Sequence, residues 1–145
     1  MKLQDFDFRI WDKTKEEFLK KEPTLINYAN TADIADMFIG NGNDLEIELW
    51  TGYFDKNGNK IYENDIIKNE SLEEIYYIAR DNTYKMFEII IYDKDCNENL
   101  YRKKNPADIK CLYLLSSDKN MSVIGNIHEN KELLEVKELK FYNII

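Results

Sequence analysis

The chain has 145 residues, of which 43% are hydrophobic and 13% aromatic, and it carries a formal net charge of −8. This composition excludes a disordered acidic tail and fits one domain, or one domain with a small appendage. Residues 1–100 hold 12 basic and 22 acidic side chains, which argues against a general binder of duplex DNA.

Residues 1–44 are predicted to form a smaller N-terminal segment. Apolar and polar residues alternate over 6–11, which indicates a strand. Residues 12–15 could turn the chain so that 17–19 return as a second strand, or residues 13–21 could form a short helix, and we prefer the hairpin. The spacing of apolar residues predicts a short helix over 31–39. A Gly- and Asn-rich stretch at 40–44 then breaks the chain and marks the boundary.

Residues 45–145 are predicted to form the main β domain. The Asn57-Gly58 pair lies between two strand-like runs and predicts a hairpin with a type I′ turn, which needs positive φ at both central residues. The run over 85–92 is apolar at nearly every position, so we expect a strand buried on both faces. Further strands are predicted at 75–80, 110–115 and 122–127.

The hydrophobic period changes after Asn130. Leu133, Leu134, Val136 and Leu139 recur at helical spacing, which predicts a helix over residues 131–140 with Asn130 as its N-cap. Short strands, tight turns and one terminal helix together predict an α+β, mainly β fold built on a small barrel.

Neither cofactor nor metal is expected from the sequence. Cys96 and Cys111 lack zinc-site spacing, and the single histidine, His128, does not complete a zinc set with them. Two reduced thiols are favoured over a disulfide. No apolar run of 18 residues and no signal peptide is present, so we expect a cytoplasmic protein that does not enter a membrane.

Three segments resemble the YopX family of phage and prophage proteins. Residues 51–67 read Thr-Gly-Tyr-Phe-Asp-Lys-Asn-Gly-Asn-Lys-Ile-Tyr-Glu-Asn-Asp-Ile-Ile, where the family carries Thr-Gly-x-x-Asp-Lys-Asn-Gly-x-x-Ile-Tyr-Glu-Gly-Asp-Ile-Val. Residues 123–134 read Val-Ile-Gly-Asn-Ile-His-Glu-Asn-Lys-Glu-Leu-Leu, similar to a segment near the family's end. The opening Phe8-Arg9-Ile10-Trp11-Asp12 is similar to its Phe-Arg-x-Trp-Asp.

We interpret nine positions in these segments as a structural signature and not as a catalytic set: Trp11, Gly52, Asn57, Gly58, Tyr62, Asn64, Asp65, Gly125 and Asn126. Asn64 stands where the family usually has Gly. Since Asn tolerates positive φ better than other non-Gly residues, we expect the turn to survive there at modest cost.

The resemblance implies an SH3-like small barrel, preceded by a smaller N-terminal α/β segment and followed by a C-terminal helix. It also implies a phage or prophage source, hence the cytoplasm of a host bacterial cell, and it brings no established activity. We expect a non-enzymatic accessory protein that binds a second copy of itself or a host or phage protein. The alternative is an acidic inhibitor of a host nucleic-acid enzyme or defence system.

Two local clusters invite other functions. Asp55 to Asn59 is similar to a calcium loop, but the sixth and twelfth positions hold Lys60 and Ile66 where an EF-hand needs Gly and Glu, so a plain turn is favoured. The one basic cluster could bind single-stranded nucleic acid weakly through stacking and phosphate contacts, against the simpler interpretation of a solvated loop. Its residues are Tyr101, Arg102, Lys103 and Lys104.

Overall fold

The computed structural model describes residues 7–19, 44–81, 83, 86–103, 105–112 and 120–136. The chain divides into two compact units, residues 1–50 and 51–145. The helix predicted over 31–39 lies outside the described residues. Whether 1–44 and 45–145 behave as separate domains stays a prediction.

The smaller unit is a set of antiparallel strands. Strand β1 pairs with both of the others, β2 on one side and β3 on the other. The predicted hairpin after β1 is confirmed, because β2 pairs antiparallel with β1. The Asp12 carboxylate shapes the turn by accepting hydrogen bonds from the amides of Thr14 and Lys15 at 2.9 and 3.1 Å. The strands are β1 (Phe8–Asp12), β2 (Glu17–Phe18) and β3 (Leu45–Phe54), whose first part belongs here.

Trp11 is buried in this smaller unit. Its ring meets that of Phe18 edge to face, with centroids 4.8 Å apart. The guanidinium of Arg9 lies 4.5 Å from the centroid of the same Phe18 ring and also pairs with the buried carboxylate of Glu48, at 3.1 Å. Trp11 therefore has a packing role, and Arg9 compensates the charge of the buried Glu48 carboxylate.

The strands of the larger unit are the end of β3, β4 (Lys60–Tyr62), β5 (Asp65–Asn69), β6 (Glu74–Arg80), β7 (Phe87–Lys94), β8 (Leu100–Arg102), β9 (Ala107–Asp108) and β10 (Met121–Asn126). Its main sheet has the strand order β10-β5-β6-β7-β8, and short β9 also pairs with β7. All of these pairs are antiparallel, and short turns join β5 to β6 and β7 to β8.

Both faces of this sheet are apolar. Alternate residues of β6 point to opposite sides, so Tyr76 and Ile78 join one cluster while Ile75 and Ala79 join the other. Strand β7 behaves in the same way, with Ile89 on the first face and Ile90 on the second. The prediction that the 85–92 run is buried on both faces is thus confirmed for β7.

The predicted fold class is wrong. Among the described residues no helix reaches seven residues, and the strands form half-barrel sheets where an SH3-like small barrel with a terminal helix was expected. Of the helix predicted over 131–140, the described part is one 3-10 turn, Lys131–Leu134, followed by Glu135 in extended conformation. The predicted strand over 110–115 is also wrong at Cys111 and Leu112, whose backbone is helical.

Two contacts explain why the terminal helix fails. Asn130 does not cap it, because its side-chain oxygen accepts a hydrogen bond from the amide of Asn126, at 3.2 Å. Leu133, Leu134 and Val136 already pack against the second apolar cluster, from the 3-10 turn and the extended residues that follow it. Three of the four apolar residues that suggested a helical stripe therefore pack without one, and the fourth, Leu139, lies outside the described residues.

The Asn57-Gly58 hairpin is confirmed, but its turn type is not I′. Gly58 has φ of 80°, whereas Asn57 is not among the residues with positive φ. The amide of Gly58 donates to the carbonyl of Asp55 at 3.1 Å, and the amide of Asp55 donates to the carbonyl of Asn59 at 2.8 Å. These bonds define a three-residue loop, a type I turn followed by one left-handed residue. The Asp55 carboxylate favours it by accepting from the amides of Asn57 and Asn59.

A second hairpin repeats this turn between β7 and β8. Asp95 accepts from the amides of Asn97 and Asn99 at 2.9 and 2.8 Å, and its own amide donates to the carbonyl of Asn99. Glu98, with φ of 61°, occupies the left-handed position that Gly58 fills in the first turn. Both loops follow the pattern Asp-x-Asn-x-Asn, so the same side-chain chemistry builds the same backbone twice.

Asp55 also joins its hairpin to strand β10. Its second carboxylate oxygen accepts from the amide of Val123 at 3.0 Å, and the amide of Lys56 donates to the carbonyl of Met121 at 2.9 Å. Burial pushes the pKa of Asp55 upwards. The hydrogen bonds from Val123, Asn59 and Asn57 outweigh burial and hold that pKa below its usual value.

Substitutions at the left-handed positions of the two turns, Gly58 and Glu98, should change the free energy of unfolding in opposite directions. Gly58→Ala should lower the free energy of unfolding by about 1 kcal/mol, a purely conformational cost because no atom lies within 4 Å of an added Cβ. Glu98→Gly should raise it by about 0.5 kcal/mol, since relief of strain is partly offset by the freedom of glycine in the unfolded chain. Urea unfolding measures both, and a loss of stability in Glu98→Gly would contradict this account.

Candidate functional site

The signature residues of the first family segment build a turn between β4 and β5. Buried Asp65 accepts from the amide of Tyr62 at 2.8 Å, and Asn64 has φ of 71°, so the expected positive φ is confirmed. The amide of Asn64 donates to the carbonyl of Ile78, and its carbonyl accepts from Ile127, at 2.7 and 2.9 Å. Its side chain adds a bond from the Tyr77 hydroxyl at 2.6 Å, which a glycine could not accept.

The second family segment forms another turn held by asparagine side chains. Asn126 accepts from the amides of His128 and Glu129, both at 3.0 Å. Gly125 is required next to it, because a Cβ there would lie 2.6 Å from Cγ of Asn130. Gly52, with φ of 89°, is the remaining signature glycine. The signature therefore shapes backbone turns, and His128 is placed among them.

A cleft of about 240 Å³ opens on the first apolar face of the larger unit. Tyr76, Ile89 and Ile91 contribute to it from β6 and β7, and Ala107 and Cys111 from the segment that begins with β9. Leu72 lines it from the turn between β5 and β6 and is 55% exposed. The lining is therefore mostly apolar, with one large side chain left in water at its rim.

Polar side chains surround Glu74, one of the residues that line the cleft. The hydroxyl of Tyr76 donates to Oε1 of Glu74 at 2.9 Å, and the ammonium of Lys103 donates to Oε2 at 2.6 Å. Asn69 donates to the Tyr76 oxygen at 3.2 Å while accepting from the amide of Leu72. Both oxygens of the nearly buried carboxylate are thus engaged by neighbouring side chains.

Tyr76 and Lys103 each keep one charge state near neutral pH. Burial, and then the hydrogen bond to Glu74, raise the pKa of Tyr76 far above its usual value, so the phenol stays neutral. The hydrogen bond to Glu74 also raises the pKa of Lys103, which stays positively charged. Glu74, which lines the cleft, is therefore held between a neutral phenol and a charged ammonium.

Two of the residues predicted to contact nucleic acid, Tyr101 and Lys103, contact acidic side chains. Lys103 is committed to Glu74 and lies 3.9 Å from Asp93, and the hydroxyl of Tyr101 donates to the same Asp93 at 3.5 Å. Arg102 is exposed, and Lys104 lies outside the described residues. Acidic neighbours therefore offset the positive charge of Lys103, and the nucleic-acid contact stays a prediction.

Cys96 and Cys111 are free thiols. Within the described ranges, no group of three or more His, Cys, Asp or Glu side chains is placed to hold a metal ion. In the same part of the chain, no helix has the length and apolar character needed to cross a bilayer.

The comparisons with known proteins identify the family. The model of the YopX protein family matches residues 7–135, so the chain belongs to the YopX family. Among solved structures, the crystal structure of protein EF1440 from Enterococcus faecalis is 21% identical and covers 90% of this chain and 98% of its own, with a TM-score of 0.44. No functionally curated protein matches the chain.

None of the residues that line the cleft was predicted from the sequence as a binding residue. Leu72, Glu74 and Tyr76 lie outside the family segments, and only antiparallel register and the turn at Asn69 bring them beside Lys103. The one usable signal was Leu72 itself, a large apolar residue among polar turn residues.

Replacing Lys103 tests its ion pair with Glu74. Lys103→Met should lower the free energy of unfolding by about 1 kcal/mol at neutral pH, because the nearly buried carboxylate of Glu74 loses a hydrogen-bond donor. The expected loss is this small because Lys103 is partly exposed and water screens the ion pair. Because the folded pKa of Lys103 is raised, this contribution is fully present below the unfolded pKa of about 10.4 and is lost as the pH rises through the higher folded pKa. Arg102→Met removes the same charge from an exposed neighbour and should change stability by less than about 0.5 kcal/mol. Equal losses in urea unfolding would contradict the ion-pair assignment.

Proposed function

We propose that this YopX-family protein acts by binding another protein, and not by catalysing a reaction, as an accessory protein of a phage or prophage. The observation that supports binding is the apolar cleft with Leu72 exposed at its rim. Apolar pockets that can be fully desolvated are where protein interfaces concentrate their energy. The phage setting is supported by family membership alone.

The polar groups around Glu74 also suit recognition better than chemistry. A general base needs a carboxylate oxygen that can take a proton from a substrate. Both oxygens of Glu74 already accept hydrogen bonds, from Tyr76 and Lys103. Groups held in one charge state give a partner a constant surface, which favours specificity.

Quantitative capture from a bacterial host lysate tests the proposal with three immobilised proteins. The wild type should enrich at least one protein, and Leu72→Asp should reduce that enrichment by about tenfold, as expected for losing an apolar anchor. Met86→Asp is the matched control, because Met86 is 63% exposed but does not line the cleft, and it should retain the partner. The proposal fails if Leu72→Asp captures the same proteins to the same extent.

Self-association is the second candidate. Besides Leu72 and Met86, Ile47 and Phe54 are large apolar side chains with 43% and 46% exposure, and burial of such side chains would favour association. Sedimentation velocity across the micromolar range should then show a concentration-dependent dimer. A single monomeric species throughout that range would reject it.

A further inference from the structure

The turn that carries Leu72 is acidic. Glu70, Glu73 and Glu74 surround Leu72 in the chain, and residues 69–74 contain no basic side chain. Asn69 fixes this turn by accepting from the amide of Leu72, and Glu73 adopts φ of 52° directly before β6. The charges are thus held at defined positions beside the apolar cleft.

The cations near this turn offset only part of its charge. Lys103 is paired with Glu74 and lies near Asp93, so that group of three carries a net negative charge. Lys56 approaches Glu70 only at 3.7 Å, on an exposed surface where such a pair is weak. Glu73 is exposed next to Leu72. The rim on this side therefore presents a negative potential to an incoming partner.

We propose that the cleft takes one apolar side chain from a protein segment in which lysine or arginine flanks that side chain. This inference rests on the proposed function and names the partner's chemistry. A volume of about 240 Å³ is below the roughly 300–1,000 Å³ of pockets for drug-sized ligands, and it suits a side chain. The flanking cations would meet Glu70 and Glu73 while the anchor contacts Leu72.

Charge also argues against the other occupants. In a two-fold dimer built on this cleft, both copies contribute the same surface, so two acidic turns would enter one interface. Like charges placed together at an interface cost several kcal/mol. A nucleic acid would bring phosphates to the same glutamates. A basic protein segment is the occupant that the rim attracts, in keeping with an acidic protein acting on a basic partner.

Titration of the ¹⁵N-labelled full chain, followed by amide chemical shifts, tests this proposal with three short peptides. The first has the core Lys-Lys-Leu-Lys-Lys, the second has Ser in place of Leu, and the third has Glu in place of each Lys. The first should shift the amides of Leu72, Ile91 and Ala107, with an effect that weakens as salt is added. The second and third should bind at least about tenfold more weakly.

A charge reversal provides the matched variants. Glu73→Lys should weaken binding of the first peptide by about tenfold or more, because it replaces attraction at the rim by repulsion. Glu129→Lys makes the same change on an exposed residue of the turn after β10 and should leave binding unchanged. Equal binding of all three peptides, or no shift with the first at millimolar concentration, would overturn the inference. So would cleft shifts produced by raising the protein concentration alone, which would make the cleft a self-interface.

The two failures are distinguishable. If Leu72→Asp abolishes capture of a partner but the cationic peptide does not bind, the cleft binds a protein of another chemistry and only this inference is wrong. If Leu72→Asp leaves capture unchanged, the proposed function itself is wrong.

Discussion

The carboxylate of Asp55 is the interaction on which the larger unit depends. One oxygen shapes the hairpin between β3 and β4, and the other accepts from the amide of Val123 in β10. Strand β10 lies at the edge of the sheet, and its register shifts between Val123 and Gly125. A bulged edge strand leaves backbone donors without ladder partners, and Asp55 supplies one acceptor there. The Asp55 side chain thereby links the hairpin to this edge of the sheet, next to the backbone hydrogen bond from Lys56 to Met121.

The same chemistry recurs at several other turns of the described residues. Asp12, Asp95, Asn69 and Asn126 each accept hydrogen bonds from backbone amides that follow them in sequence. Left-handed residues such as Asn64 and Glu73 then start the next strand. Local side-chain acceptors let the backbone adopt these turns without help from a helix. This explains how a chain with so few glycines in its turns still forms an antiparallel sheet.

Alternating and continuous apolar runs predicted the longer strands, because a two-residue period maps directly onto the faces of a sheet. Neither β8 nor β9 was predicted, and the strand expected over 110–115 is wrong at Cys111 and Leu112. Positive φ at Asn64 was also predictable, since few residues tolerate it. The type I turn at Asp55 and the missing terminal helix were not predicted. In both cases a side chain accepts a hydrogen bond that local propensity did not anticipate. Asp55 accepts from the amide of Asn59, and Asn130, the expected helix cap, accepts from the amide of Asn126. The cleft was beyond prediction because strand register, which no short motif encodes, brings Leu72, Tyr76 and Lys103 together. The family signature thus describes the scaffold, while the proposed binding residues lie between its segments.

Replacing Asp55 by Asn tests the central claim most directly, through urea unfolding as a function of pH. The folded pKa of Asp55 is lowered, so its ionised form contributes stability that is fully present above the unfolded pKa of about 3.9 and is lost as pH falls through the folded pKa. An Asn side chain has only one acceptor oxygen, so its NH₂ group would face backbone N–H donors that the second carboxylate oxygen of Asp55 accepts in the wild type. Asp55→Asn should therefore be about 1–3 kcal/mol less stable than the wild type at pH 7, with faster hydrogen exchange at the Val123 amide. This gap should narrow below about pH 4. Equal stability at pH 7, or a gap that does not change with pH, would contradict the account.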